Sequence, residues 1–300
     1  MEFFYYSKQW PGTKSERIKR FFHILLLEIK RVTTGTKYLA EFDLSDNCNL
    51  HCRHCYHFRA KILFNEEVSI NLWESKFNEL YKKGIRRVLL IGGEPAIRMD
   101  VIKLAHKIFP YIDICSNGTI FIDKFYKQKI FVSIDGDKTT HDYIRGDGVF
   151  DRIVSNYKND NRVVISMTIT KENILMIENV IKLSDTLNLI GVSCDIYTPS
   201  PGNASNDSMT ITDEERKIII SELRRLKKLY KQKLLMSKKA ISWFEHPNHS
   251  KTPCYWRSQV IHFNSRLEEK PACDYYDCAN CGHFAGANLS PLNFMITNET

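Results

Sequence analysis

Hydrophobic residues along the chain alternate between two spacings, one typical of buried strands and the other of amphipathic helices. Short apolar runs predict six strands, and the helical spacing between most of them predicts crossover helices, with no signal for a hairpin. This order indicates an α/β protein with a parallel sheet, whose functional sites lie at the carboxyl ends of the strands. The predicted strands are residues 37–44, 87–91, 111–115, 130–134, 163–169 and 190–197.

The predicted helices within this region are residues 70–83, 100–109, 149–158 and 173–187. Gly84 and Pro110 are typical residues to end the first two. A longer helix is predicted to begin after Thr212, where Glu215 completes a capping box, and to run to about residue 236. Its exposed face is rich in Lys and Arg, which indicates either a solvated face or a surface for an anionic partner.

Residues 15–33 predict an amphipathic helix before the first strand. Its apolar residues recur at helical spacing with basic residues between them; they are Ile18, Phe21, Phe22, Leu25, Ile29 and Val32. Two interpretations remain open for this helix. It either packs on the domain or lies on a membrane surface, as basic amphipathic helices do.

The composition is that of an ordinary folded protein, with 43% hydrophobic and 26% charged residues among 300. The formal net charge of +8 favours anionic partners without selecting one. No apolar segment is long enough to span a membrane, and the short apolar run near residue 24 does not resemble a signal peptide. We therefore expect a cytoplasmic protein, with peripheral membrane contact as an alternative, and we do not expect nucleic acid as a partner.

Nine cysteines in a cytoplasmic chain indicate metal binding or catalysis before disulfides. Cys115 and Cys194 lie in predicted strands, where we expect buried, unreactive thiols. The other seven form two groups. The first comprises Cys48, Cys52 and Cys55, and the second comprises Cys254, Cys273, Cys278 and Cys281.

The first cysteine group has the spacing CxxxCxxC and directly follows the first predicted strand. Three thiolates in so short a loop can converge on one metal centre, and three leave one iron of a [4Fe–4S] cluster open for a small molecule. A zinc loop is the alternative, because zinc takes four protein ligands in structural sites. The fourth ligand would then be His51, His54 or His57.

Two further motifs follow strand ends. Residues 92–95 read Gly-Gly-Glu-Pro, in which the glycines let the backbone approach a ligand and the Glu94 carboxylate can accept hydrogen bonds from an ammonium group. Residues 133–136 read Ser-Ile-Asp-Gly, and residues 141–146 read His-Asp-Tyr-Ile-Arg-Gly. Arg145 suits the binding of a carboxylate, or alternatively a surface ion pair. Asp135 either orients a ligand or caps a loop.

Together these motifs resemble the radical S-adenosylmethionine (SAM) superfamily, over about residues 37–200. The resemblance implies a partial (β/α)6 TIM-like barrel and a [4Fe–4S] cluster held by Cys48, Cys52 and Cys55. In this family the open iron binds SAM, and an electron from a reducing donor such as flavodoxin or ferredoxin cleaves SAM to a 5′-deoxyadenosyl radical. The resemblance assigns the SAM amino group to Gly92, Gly93 and Glu94, the ribose to Ser133 and the SAM carboxylate to Arg145.

The second cysteine group supplies a complete ligand set for a tetrahedral zinc or for an auxiliary [4Fe–4S] cluster. Beside a radical SAM core we favour the iron–sulfur cluster. The tail around these cysteines also resembles that of the hopanoid-forming radical SAM enzymes. The predicted organisation is a helical segment at 1–36, a radical SAM core at 37–205, a basic helix at 206–240 and a small cysteine-rich extension at 241–300.

Three functions follow from this reading. The first is a radical SAM enzyme that modifies a small molecule or a lipid, the lipid version being favoured by the basic amphipathic helix at residues 15–33. The second is a radical SAM enzyme that modifies a peptide or protein, because the segment from Ser133 to Gly146 resembles the branch that contains such enzymes. The third is a zinc-binding module without enzymatic activity. The sequence assigns no substrate and no catalytic acid or base.

Overall fold

The computed structural model describes residues 12–59, 66–200, 202, 205–245, 254–273 and 277–284. Within these residues eight strands form one sheet. The strands are β1 (Leu39–Asp43), β2 (Arg87–Ile91), β3 (Tyr111–Ser116), β4 (Ile130–Ser133), β5 (Val163–Ile169), β6 (Gly191–Ile196), β7 (Val260–Phe263) and β8 (Glu269–Lys270).

The helices lie before, between and after these strands. They are α1 (Lys14–Thr34), α2 (Ile70–Lys82), α3 (Met99–Ile108), α4 (Lys138–Arg145), α5 (Val149–Tyr157), α6 (Ile177–Thr186), α7 (Asp213–Leu229), α8 (Lys238–Trp243) and α9 (Tyr255–Gln259). Single turns of 3-10 helix lie at His57–Arg59, Pro95–Arg98, Ile174–Met176 and Cys278–Asn280.

The strand order is β6-β5-β4-β3-β2-β1-β7-β8. Strands β1 to β6 are parallel neighbours in chain order, for example with Leu39 opposite Arg87 and Val164 opposite Gly191. The six predicted strands are therefore confirmed, together with the α/β fold and its TIM-like parallel sheet. Because β1 to β6 all run the same way, the loops that carry the sequence motifs emerge at one end of the sheet.

The hydrophobic core lies between the sheet and the helices that cover its outer face. Phe42 on β1 packs edge-to-face against Trp73 and Phe77 of α2. Cys194 on β6 is fully buried in this core, as expected. In each strand, the apolar residues that point outward pack against the helices. The residues at alternate positions point into the interior enclosed by the sheet.

The C-terminal part adds strands that the sequence pattern did not predict. Strand β7 joins the sheet parallel to β1, with Leu39 opposite Val260, and β8 pairs with β7 in antiparallel fashion. The six predicted strands contain no hairpin, as expected, and the antiparallel β7–β8 pair lies beyond them. The apolar run in β7 is only four residues long, too short to stand out in a region of irregular pattern. The predicted domain limits stay predictions, but the sheet continues into the cysteine-rich part.

The predicted helix after Thr212 begins as expected, with both hydrogen bonds of the capping box present. Its predicted end at residue 236 is wrong, because α7 ends at Leu229. The following residues instead lie along β6, where Val192 donates to the Lys233 carbonyl and accepts from the Leu235 N–H. This pairing needs the glycine at Gly191, since a Cβ there would overlap the Lys233 carbonyl.

Helix α1 closes the end of the sheet opposite the motif loops. Its buried residues are Phe21, Ile24 and Glu28. His23 shares a 2.7 Å hydrogen bond with the Tyr111 hydroxyl at the start of β3. The helix thus packs across the amino ends of the strands. None of the described helices is long and apolar enough to cross a membrane.

Gly282 joins the C-terminal segment to β6. Its N–H donates to the Thr198 hydroxyl and its carbonyl accepts from the Ile196 N–H, both at 2.9 Å. A Cβ at this position would overlap the Ile196 carbonyl. We expect Gly282→Ala to detach residues 277–284 and to lower the free energy of unfolding by about 1–3 kcal/mol. Hydrogen exchange of residues 277–284 and denaturant unfolding measure both effects.

Gly35→Ala is the matched control, because a Cβ at Gly35 meets no atom within 4 Å although φ is +71°. Its left-handed backbone costs about 1 kcal/mol for a non-glycine residue, but hydrogen exchange at residues 277–284 should not change. Unchanged exchange in Gly282→Ala would contradict the proposed contact.

Candidate active site

A cavity of 530 Å³ lies inside the sheet, between helix α1 at one end and the motif loops at the other. Its wall brings together most of the predicted site residues. They are Cys48, Cys52, Cys55, Gly92, Gly93, Ser133, Arg145 and Cys273. One compartment therefore contains residues from both cysteine groups and from all three motifs.

The three thiols of the first cysteine group are partly exposed and interact electrostatically with one another. Burial raises the pKa of Cys52 to about 11, although the nearby Arg145 charge opposes that increase. The loop is held in place by a 2.9 Å hydrogen bond from the Arg53 N–H to the Ile144 carbonyl of α4. Three such thiols on a cavity wall match the donor set of an iron–sulfur cluster that has one open iron.

The histidines of this loop have other partners. His54 Nε2 lies 3.3 Å from Asp135, and His57 Nε2 lies 3.4 Å from Asp46. His51 stacks on Phe58. These contacts give the alternative of a zinc loop with a histidine ligand no support.

The two glycines of residues 92–95 seat the cysteine loop. Gly92 has a φ of +123°, and a Cβ there would lie 2.7 Å from the Ser45 carbonyl oxygen. A Cβ at Gly93 would overlap the Asn47 carbonyl. The Gly93 N–H also donates to Ser45 at 2.8 Å. The motif thus holds the backbone just before Cys48, a structural role that sequence reasoning did not assign.

Glu94 differs from its neighbours because its carboxylate does not form part of the cavity wall. It is fully buried and accepts hydrogen bonds from the Ala96 N–H, the Ser116 hydroxyl and the Asn117 N–H at 2.7–2.9 Å. Burial raises the pKa of Glu94, while these hydrogen bonds act in the opposite direction. Its carboxylate ties the Gly-Gly-Glu-Pro turn to the end of β3, and its assignment to the SAM amino group stays a prediction.

Arg145 forms a buried ion pair, not a surface one. Its Nε donates to Asp135 Oδ2 at 2.5 Å, and its Nη1 lies 4.0 Å from Cys52 Sγ. Asp135 also accepts from the Thr168 N–H at 3.0 Å. Burial alone would raise the pKa of Asp135, but the charges and hydrogen bonds of Arg145 and His54 together outweigh burial and keep that pKa well below its usual range. Asp135 therefore positions the guanidinium beside the cysteine loop.

Asn117 is a site residue that sequence reasoning missed. Its Nδ2 lies 3.7 Å from Cys48 Sγ and also donates to Asn49 Oδ1 at 2.9 Å. The available signal was its position, since Ser-Asn-Gly closes the third strand at the same edge of the sheet as the other motifs.

The four thiols of the second cysteine group lie near enough to one another to interact electrostatically. Burial raises the pKa of Cys281 to about 12, and electrostatic interactions join Cys273 to the other three thiols of this group. The Arg257 guanidinium lies 3.7 Å from Cys278 Sγ. Within the described residues, at this group and at the first cysteine group alike, no three His, Cys, Asp or Glu side chains are close enough to hold a single metal ion. The nature of the metal at this group stays a prediction.

Cys115 corrects one expectation. It is partly exposed and forms part of the cavity wall, so it is not a buried core residue like Cys194. The reason is the alternation along β3, in which Ile112 and Ile114 point outward to the helices and Cys115 points inward. Its local surroundings still raise the pKa of its thiol through burial.

The cavity contains more charge than the motifs predicted. Charged and titratable side chains pair between neighbouring segments along its wall, namely Arg87 with Asp113 at 2.5 Å, His262 with Glu41 at 2.9 Å and His283 with Asp195 at 3.2 Å. Lys129 lies half-buried on the same wall, and desolvation there lowers its pKa to about 8. Charged residues at alternate positions of a parallel strand were a usable signal, because such strands are ordinarily apolar on both faces.

Comparison with known proteins places this cavity in context. No family model matches the chain. The chain is 26% identical over 199 residues to the AdoMet-dependent heme synthase of Methanosarcina barkeri, an alignment that covers 61% of this chain and 57% of that protein. It is 27% identical over 154 residues to the sporulation killing factor maturation protein SkfB of Bacillus subtilis, which covers 46% of this chain and 37% of SkfB.

The fold resembles that of Streptococcus suis SuiB in its crystal structure bound to S-adenosylmethionine, with a TM-score of 0.63 and 14% identity over 82% of this chain and 63% of SuiB. The relatives and the fold agree with the cysteine spacing. These similarities support a radical SAM superfamily enzyme. The chain spans about half the length, or less, of the curated relatives it matches.

His141 of this chain should make folding stability depend on pH. Its ring is fully buried, and its Nδ1 accepts a hydrogen bond from the Asp135 N–H at 3.1 Å. Burial, with a smaller effect of Arg145, lowers the pKa of His141 from 6.5 to about 4. The folded state therefore needs the neutral ring, and stability present near neutral pH is lost as the pH falls from about 6.5 towards 4.

The expected loss at pH 5 is about 2 kcal/mol relative to pH 8, measured by denaturant unfolding. His141→Gln keeps a hydrogen-bond acceptor without a titrating ring, so its stability should vary less over this range. Equal pH dependence in the two proteins would assign the effect to other groups.

Proposed function

We propose that this chain reductively cleaves SAM at a [4Fe–4S] cluster held by Cys48, Cys52 and Cys55, and that the resulting 5′-deoxyadenosyl radical acts on a polar small molecule in the same cavity. The observation that carries the proposal is the shared wall, on which the three thiols lie with Gly92, Gly93, Ser133 and Arg145. When bound, the cluster supplies the electron that cleaves SAM. The rest of the chemistry depends on groups that this chain contributes.

Each of these groups has a task suited to its surroundings. The Arg145 guanidinium keeps its positive charge beside Cys52, because Asp135 orients it and is itself held by the β5 backbone. A guanidinium fixed in this way can bind the SAM carboxylate. The backbone at residues 92 and 93 has no side chain to obstruct a ligand, and Ser133 offers a hydroxyl at the end of β4.

The charged cavity wall favours a polar substrate over a hydrocarbon. An isoprenoid chain would leave the His262–Glu41 and His283–Asp195 pairs desolvated without hydrogen-bonding partners of its own. The amphipathic pattern of helix α1 does not favour a lipid substrate, because the helix closes the end of the sheet opposite the cysteine loop. Similarity to a protein named a heme synthase supports a small molecule as well.

A peptide substrate is the second candidate. It rests on the similarity to SkfB, a protein named for the maturation of a killing factor. Under this proposal the second cysteine group, which reaches the cavity through Cys273, holds an auxiliary cluster. SAM cleavage is common to both candidates, so turnover with polar small molecules and with peptides distinguishes them.

The cluster proposal predicts the iron content. We expect the anaerobically reconstituted protein to bind about eight irons, and the variant with Cys48→Ala, Cys52→Ala and Cys55→Ala to bind about four. Only the wild type should convert SAM to 5′-deoxyadenosine and methionine under reduction. Iron, sulfide and zinc analysis with chromatography of the nucleoside products measures these quantities.

Cys194→Ala is the matched control, because that thiol is buried in the core and should leave the iron count unchanged. Four irons in the wild type and none in the triple variant, with zinc retained, would assign zinc to the second cysteine group. A wild type that binds only zinc would overturn the cluster proposal and leave the zinc-binding module.

The Asn117 contact predicts the reduction potential of that cluster. Hydrogen bonds to cluster sulfurs favour the reduced, more negative state. Asn117→Ala should therefore shift the potential to a more negative value, as followed by electron paramagnetic resonance during a redox titration. Asn49→Ala is the control, since Asn49 contacts Asn117 and Thr119 but no sulfur in the described structure. Equal shifts in both variants would rule out a specific effect of the Asn117 contact.

A further inference from the structure

Helix α1 has a second apolar face that the barrel does not cover. Five of the fourteen exposed large hydrophobic residues in the described chain lie on this helix, with exposures between 42% and 64%. They are Ile18, Phe22, Leu26, Ile29 and Val32. Scattered single apolar residues on a surface are ordinary, but a continuous stripe on one helix indicates an interaction site.

Helical geometry places these residues on one side. At about 100° per residue, the five side chains span an arc of about 120°, and the buried residues Phe21, Ile24 and Glu28 lie on the adjoining arc, centred about 100° from the middle of the stripe. The helix has 21 residues, so the stripe extends along a cylinder of about 30 Å. We call this set of five residues the outer stripe of α1.

Lysines border the outer stripe on both sides. The same angular count puts Lys14 at one edge and Lys19 and Lys30 at the other, and all three are exposed. None of them forms an ion pair with another residue in the described ranges. Lys127, which is exposed at the same end of the barrel, interacts electrostatically with Glu16 of α1. An apolar stripe bordered by lysines is complementary to an anionic lipid surface.

The sequence that precedes α1 has the same character. It contains Phe3, Phe4, Tyr5, Tyr6 and Trp10. Tyrosine and tryptophan are enriched where proteins meet the interface between membrane and water.

We propose that the outer stripe of α1 binds an anionic phospholipid bilayer, with the helix lying in the plane of the interface. The adjoining face of the helix holds the barrel through Phe21 and Ile24, so the barrel lies beside the helix while the stripe contacts the lipid. The cysteine loops lie at the end of the sheet opposite the helix. The inference concerns location and does not depend on the proposed SAM chemistry.

Vesicle sedimentation of the full chain tests this surface. The probes are vesicles of phosphatidylcholine alone and vesicles of phosphatidylcholine with phosphatidylglycerol. We expect binding to the anionic vesicles that weakens as salt increases, because lysines supply part of the attraction. Phe22→Ser with Leu26→Ser should reduce the partition coefficient by about tenfold or more, since each side chain loses its burial in the interface.

Two variants separate the apolar and electrostatic contributions. Lys19→Gln with Lys30→Gln should weaken binding to anionic vesicles and flatten its salt dependence. Ile218→Ser with Leu229→Ser is the matched control, because these α7 residues are as exposed as the stripe but lie on another helix. The control should bind like the wild type, and thermal unfolding checks that all variants are folded.

The outcomes decide the proposal. It fails if the wild type binds neither kind of vesicle, or if the Phe22→Ser, Leu26→Ser variant binds as well as the wild type. It also fails if light scattering shows a stable dimer that the same variant dissociates, because a second copy would then cover the stripe. Equal binding to neutral and anionic vesicles would overturn the role of the lysines.

Discussion

The site depends on a close backbone contact between two loops. Gly92 and Gly93 allow the turn after β2 to lie against residues 45–47, where a single added Cβ would overlap a carbonyl group. This contact sets the position from which the loop with Cys48, Cys52 and Cys55 begins. Glu94 then fixes the turn to the end of β3 through three buried hydrogen bonds. A shift in this turn would move the cysteine loop with it.

Buried charge organises the rest of the cavity. Asp135 and Arg145 are both removed from solvent, and each compensates the cost of burying the other. The pair also orients the Arg145 guanidinium towards Cys52. A second, less buried pair lies deeper in the sheet, where Arg87 and Asp113 contact each other beside Lys129. A cavity built in this way is suited to polar ligands, and its interior is shaped by electrostatic pairing as much as by apolar packing.

The two ends of the sheet have separate roles. The carboxyl ends of the strands carry the thiols and the charged groups of the candidate active site. The amino ends are closed by α1, whose inner face packs on the barrel and whose outer stripe faces solvent. A parallel sheet makes this separation possible, since the loops that follow its strands all lie at the carboxyl end and the loops that precede them all lie at the amino end. Changes in the helix can therefore alter location without altering the chemistry of the site.

Local sequence determined much of this protein. Short apolar runs and helical periodicity predicted the strands β1 to β6, because burial against helices requires those patterns. The cysteine, glycine and Ser-Ile-Asp-Gly motifs predicted residues most of which the fold brings to one cavity; the exceptions are Glu94, Cys254, Cys278 and Cys281. The capping box at Thr212 predicted the start of α7, because that hydrogen-bonding pattern involves only residues three apart.

The tertiary structure decided the features that depend on partners distant in sequence. Helix α7 ends before residue 236 because residues 233–235 pair with β6. Strand β7 forms because it pairs with the free edge of β1. The Asp135–Arg145 pair and the contact of Asn117 with Cys48 were not readable from either residue alone, because each needs a neighbour that only the folded sheet supplies. The local sequence pattern predicts which residues are buried, whereas the pairing of buried polar groups depends on which loops the fold places side by side.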